Sequence, residues 1–147
     1  MYIEYFSFLV KNDLQWDWIT AYCCNQPKFD FVDLNILYKG KELDDFMEYH
    51  KDSYVCRFKD RNKRMYYTGE FLRFKLCDNF RKFLATFNLK NFNSFCLEDP
   101  SFNNGEVEYL SIINHEDAVI IDENLPEVSE FRKYGFDLSN HFEGYYN

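Results

Sequence analysis

Short aromatic-rich segments of period-two alternation recur along this chain, separated by isolated helical patterns, and that combination most restricts the folds open to it. Residues 2–10 put Tyr2, Glu4, Phe6, Phe8 and Val10 on one parity and Ile3, Tyr5, Ser7 and Leu9 on the other, which is expected of a strand. Segments 29–38, 54–59, 64–68, 71–76, 106–113 and 118–121 also read as strands or extended pieces. Asp13 is placed to cap a helix over 14–24 with Leu14, Trp18 and Ala21 or Tyr22 on one side. A second helix, 42–50, carries Leu43, Phe46, Met47 and His50 at spacings of three and four. A third, from Asp78 or Asn79 to Phe87, has the stripe Phe80, Phe83, Leu84 and Phe87, with Arg81 and Lys82 on its basic face. Pro126 suits the first turn of a short helix to Tyr134, with Gly135 as its stop. Between these lie a polar hairpin loop over 60–63, a surface loop over 97–105 suggested by Pro100, Asn103, Asn104 and Gly105, and a hairpin tip over 114–117. Strands broken by single helices, without regular βαβ alternation, predict an α+β domain: a mainly antiparallel sheet with a few short helices packed on it.

A chain of 147 residues suits one domain spanning 1–147, since about 150 residues bury roughly 70% of the unfolded surface. Seventeen Phe and twelve Tyr give ample core material, so the acidic balance does not signal disorder. The first residues carry Glu4 and lack a basic leader, a small-residue cleavage site and the length to span a bilayer, so a cytoplasmic protein without membrane contact is expected. Cys23, Cys24, Cys56, Cys77 and Cys96 are irregularly spaced and mostly in apolar surroundings, which predicts buried free thiols.

The charges are sorted by position. Residues 1–49 hold nine acidic side chains against four basic, 50–97 hold four against eleven, and 98–147 hold twelve against Arg132 and Lys133 alone, giving −5, +7 and −10 for the stated −8. The basic centre cannot neutralise both acidic blocks, and surface ion pairs contribute only about 0–1 kcal/mol each, so stability alone is a poor reason for the surplus. A concentrated negative surface that attracts a cationic partner is the functional expectation.

No motif for catalysis or a cofactor stands out. The carboxylate pairs Asp44-Asp45, Glu98-Asp99, Glu116-Asp117 and Asp122-Glu123 lack any frame that would set their pKa values apart and read as solvated loop residues. His115-Glu116-Asp117 has the residue types of a metal or general-base cluster, but reads as a hairpin tip because His50 and His141 are remote in sequence. Cys23-Cys24 lacks CxxC spacing, and five scattered glycines form no phosphate loop. The stretch from Arg57 to Tyr67, followed by Arg73-Phe-Lys75, mixes cations with aromatics and gives a competing expectation of nucleic-acid binding through Arg61, Lys63 and Arg64. Outward-facing cations on a half-buried sheet would look the same.

With its acidic, aromatic-rich, single-domain composition and the acid-rimmed segment Gly105-Glu-Val-Glu-Tyr-Leu-Ser-Ile-Ile-Asn-His-Glu-Asp-Ala-Val-Ile-Ile-Asp-Glu-Asn124, the chain resembles the small immunity proteins of contact-dependent inhibition and related bacterial polymorphic toxin systems. The resemblance implies a cognate toxin-domain partner bound one to one. With the acidic surplus and no catalytic or cofactor motif, the expectation is a non-enzymatic inhibitor, its target a nuclease for preference, with no cofactor, no metal and no small-molecule substrate. Glu106, Glu108, Glu116, Asp117, Asp122, Glu123, Glu127 and Glu130 are the expected partner-binding residues, standing where the toxin would hold phosphate. A phage-encoded inhibitor of a host defence nuclease would follow the same physics.

Overall fold

The computed structural model describes residues 2–62, 66–105 and 107–145. In chain order the elements are β1 (Tyr2–Leu9), α1 (Asp13–Cys24), β2 (Phe31–Ile36), α2 (Lys41–Tyr49), β3 (Tyr54–Asn62), β4 (Tyr66–Lys75), α3 (Asp78–Phe87), a 3-10 turn (Leu89–Ser94), β5 (Leu97–Asn104), β6 (Val107–Ile113), a second 3-10 turn (Asn114–Glu116), β7 (Ala118–Asp122), α4 (Val128–Lys133) and β8 (Asn140–Tyr145). The eight strands form one sheet in the order β3-β4-β2-β5-β6-β7-β1-β8, every neighbouring pair antiparallel. The fold is α+β, as the pattern predicts. Among the described residues no helix is long and apolar enough to cross a membrane.

The register explains the layering. Phe74 pairs with Val32, Val32 with Phe102, Phe102 with Leu110, Leu110 with Ile121 and Ile121 with Phe6, so one apolar row crosses the sheet on a single face. The helices pack on that face: Phe46 of α2 and Phe80 of α3 meet Phe74 with ring centroids 5.5 and 4.7 Å away, and Phe131 of α4 meets Phe8 at 5.7 Å. Trp18 and Tyr22 of α1 close the layer against Phe131 at 4.9 and 5.0 Å.

Several local expectations change. Asn12, not Asp13, caps α1, its side chain accepting from the Gln15 N–H. The buried side of α1 is Trp16, Ile19, Tyr22 and Cys23, which leaves Leu14 81% exposed, because the helix meets the sheet about half a turn away from the expected stripe. Residues 66–68 and 71–75 belong to one strand, β4, and β3 continues through Asn62 into the expected 60–63 loop, while 63–65 lie outside the described residues. Arg81 turns inward, donating to the carbonyls of Leu76, Cys24 and Phe29 at 2.8, 3.0 and 2.6 Å, so the basic face of α3 reduces to Lys82. Three of the five thiols are buried, Cys77 is half-buried and Cys56 is exposed.

The largest correction is at 97–105. This segment is not a surface loop but β5, a buried central strand. Its pairing with β2 shifts register between Asp33 and Asn35, opposite Glu98–Ser101, so Pro100 falls inside a bulge where its missing N–H breaks no ladder bond. Asp99, at φ +54°, takes the left-handed residue of that bulge. The edge strand β8 was not expected at all.

Candidate partner-binding surface

The eight sequence-predicted carboxylates do not share one surface. Glu108 and Asp122 are buried: Glu108 accepts a hydrogen bond from the Ser111 hydroxyl, and Asp122 accepts from the Asn124 N–H at 2.7 Å. Glu127 pairs with Lys28, Glu130 lies 3.8 Å from Lys133, and Glu123 bonds the His141 ring at 2.6 Å. Glu106 lies outside the described residues. Glu116 and Asp117 alone of the described seven stand exposed, at the β6–β7 turn.

Those two join acids from the other end of the chain. The Val10 N–H donates to the Asp117 carbonyl at 2.7 Å, which places the β6–β7 turn beside the link from β1 into α1, where Asp13 and Asp17 are exposed. Lys90 anchors the group, its ammonium 2.6 Å from Asp13, and its pKa is raised by that hydrogen bond and by the nearby charges of Asp13, Asp117 and Asp17. Asn88 donates to Asp17 at 2.9 Å, and Asn114 is bound to both Asp99 and the Leu89 carbonyl, so the Leu89–Ser94 turn holds the corner from below. Leu14 lies between Asp13 and Asp17 on the same exposed stretch, and Leu9, 58% exposed, ends the strand beside it. Sequence order hid this meeting of the two acidic blocks. The one available signal was Leu14, an apolar residue flanked by acids at the start of a helix.

A second polar assembly was also missed. On the sheet face opposite the helices, register aligns Arg73, Asp33, Ser101 and Ser111 across four strands. Asp33 is fully buried and accepts from Arg73 Nε and Nη2 at 2.8 and 3.0 Å and from Asn103 Nδ2 at 3.0 Å. The Arg73 guanidinium lies 5.3 Å from the Phe31 ring centre and 5.5 Å from that of Phe58. The Ser101 and Ser111 hydroxyls are hydrogen-bonded 3.0 Å apart, and the Ser111 hydroxyl also bonds the Glu108 carboxylate. This row contains no histidine, and its groups bond one another.

The basic centre is partly consumed in the same way. Arg57 and Lys39 pair with Glu70, and Arg73 with Asp33, while the side chain of Arg61 and residues Lys63 and Arg64 lie outside the described residues. Among the described residues two groups of three could hold a divalent cation: Glu98, Asp99 and His115, and Glu4, Glu123 and His141, each set with ligand atoms within 4.8 Å of one another. His115 thus finds its carboxylate company across the turn in Glu98 and Asp99, not in the adjacent Glu116 and Asp117. Burial, with the neighbouring Asp99 charge, raises the Glu98 carboxyl.

No family model matches this chain. Searches of curated proteins and of solved structures likewise returned no match. The functional reading therefore stands on the chemistry of these surfaces.

Proposed function

We propose that this protein is a non-enzymatic inhibitor of the immunity kind, acting in the cytoplasm, which captures a cationic toxin domain one to one through the corner formed by the start of α1 and the β6–β7 turn. The observation that carries the reading is the exposed acids Asp13, Asp17 and Asp117 gathered about Lys90, with Glu116 exposed next to Asp117 and Leu14 exposed next to Asp13. Clustered carboxylates steer a cationic protein to the surface and raise its association rate, while an exposed aliphatic side chain inside a charged rim supplies the desolvated contact that holds it. A nuclease domain, whose active site is built to hold phosphate, fits such a rim. Of the eight acids expected from sequence, this reading keeps the exposed Glu116 and Asp117, sets aside the buried and half-buried ones, and adds Asp13 and Asp17, which are exposed although Asp13 also pairs with Lys90.

The test is association kinetics with the toxin domain encoded beside this chain. Asp13→Asn, Asp17→Asn, Glu116→Gln and Asp117→Asn together should lower the association rate by about tenfold or more at low salt and flatten its salt dependence. An unchanged rate and an unchanged salt response would overturn the proposal.

A further inference from the structure

The two histidine–carboxylate groups differ in how their charges are answered. In one, His141 already bonds Glu123 at 2.6 Å and Glu123 also hydrogen-bonds Glu4, so the group is spent as an ion pair. In the other, Glu98, Asp99 and His115 bring their ligand atoms within 4.8 Å, yet none of these three described residues is hydrogen-bonded or ion-paired to another. Ligand atoms about 2.0–2.2 Å from one cation stand roughly 3–4 Å from each other. The second set is therefore close to ligating distance while its members leave one another unbonded.

The fold fixes where the three stand. Glu98 and Asp99 lie in the bulged part of β5, and His115 follows Asn114, which is bonded to Asp99 through both backbone and side chain. Two carboxylates side by side repel each other, the more so with Glu98 half-buried and Asp99 only 2% exposed. A separate observation lies next to Glu98. Asn35, its partner across the β2–β5 pairing, donates from Nδ2 to Glu98 Oε1 over 3.4 Å, while Asn35 Oδ1 is buried without a hydrogen-bond partner among the described residues. The two ends of an amide exchange places by a half-turn of the side chain. Turned over, Asn35 points its orphaned oxygen at the Glu98 carboxylate, an arrangement that is repulsive alone and favourable with a cation between the two oxygens.

We infer that Glu98, Asp99 and His115, completed by the Asn35 carbonyl, form a binding site for a divalent cation of the zinc kind. An imidazole with carboxylate oxygens suits zinc, whereas magnesium and calcium take oxygen ligands alone and gain nothing from His115. Bound there, the ion cancels the repulsion between Glu98 and Asp99 and ties the β5 bulge to the β6–β7 turn. No toxin partner is needed for it to bind. Its role is structural: it clasps the base of the turn that carries Glu116 and Asp117.

The probe is zinc chloride titrated into the folded, reduced, metal-free protein and followed by calorimetry and by the unfolding temperature. One equivalent should bind and raise that temperature, and an excess of magnesium or calcium should not displace it. His115→Ala and Glu98→Gln should each weaken binding about tenfold or more, and Asn35→Ala several-fold. Metal-free His115→Ala should unfold at the same urea concentration as the natural protein, so that lost binding is not lost folding. Glu123→Gln with His141→Ala should leave the affinity unchanged. Cobalt(II) in place of zinc should show no thiolate charge-transfer absorption with the first equivalent, which separates this site from the free cysteines. Affinity untouched by the changes at His115, Glu98 or Asn35, loss of binding in the Glu123 and His141 variant instead, or a thiolate signal from the first equivalent overturns the inference.

Discussion

Asp99 and Asn114 exchange two hydrogen bonds between β5 and the β6–β7 turn: the Asp99 N–H donates to Asn114 Oδ1 at 2.9 Å, and the Asn114 N–H donates to Asp99 Oδ1 at 2.7 Å. Each backbone is thus held by the other's side chain. Asn114 also donates to the Leu89 carbonyl at 3.0 Å, tying three segments together beneath the acidic corner.

Asn114→Ala is expected to destabilise the protein by about 1–3 kcal/mol for each buried group it strands, the Asp99 N–H and the Leu89 carbonyl being the two. Urea denaturation measures the loss, and a cost under 1 kcal/mol in total would show that these groups find other partners.

Arg73→Met removes the bidentate partner of a fully buried carboxylate and should cost about 3–5 kcal/mol, whereas Asp33→Leu combined with Arg73→Met should recover most of that. Thermal and chemical denaturation of the two single variants and the double variant complete the cycle. Additive losses would contradict a coupled pair.

A methyl group added at Gly69 would lie 2.9 Å from Asn35 Oδ1, an atom that is itself buried without a hydrogen-bond partner among the described residues. Gly69→Ala should therefore cost about 1–3 kcal/mol by crowding. The same change made with Asn35→Ala should cost clearly less, and an undiminished penalty would place the strain elsewhere.

Hydrogen bonds from Arg57 and then Lys39 pull the Glu70 carboxyl down from 4.5 to about 2. A carboxyl depressed in the folded state adds stability above its ordinary range and loses it as the pH falls through about 2. Glu70→Gln should accordingly lie below the natural protein in unfolding midpoint near neutrality, with the gap closing across the acid range. A gap independent of pH would show that the pair does not titrate this way.

Leu14→Ser should leave the unfolding free energy within about 0.5 kcal/mol, since the side chain is 81% exposed, while weakening capture of the toxin domain. Loss of folding stability would mean that the residue serves the fold instead.

Much of the fold was legible because period and packing agree where one face is apolar. Phe80 and Leu84 of α3, Leu43 and Phe46 of α2, and the alternation of β1 each followed from spacing alone. The failures share one cause. Pro100, Asn103 and Asn104 carry turn chemistry, and in isolation would have made a loop, but Asn103 is bonded to Asp33 and Pro100 sits in a bulge, so tertiary partners override local preference. The acidic surface misled for a related reason: counting charge along the chain cannot separate Glu108, bonded to Ser111 inside the sheet, from Glu116 in solvent, nor foresee that Asp13 and Asp117 become neighbours.

The hydrophilic line running from Arg73 through Asp33 and Ser101 to Ser111 has a consequence for how the strands find their order. Sliding β2 by a single step would turn Asp33 toward the phenylalanines beneath the helices and lift Val32 and Leu34 away from them, stranding a charge among aromatic rings. Misaligned sheets are thereby penalised at their centre, which lets a chain so rich in interchangeable aromatics settle on one pairing.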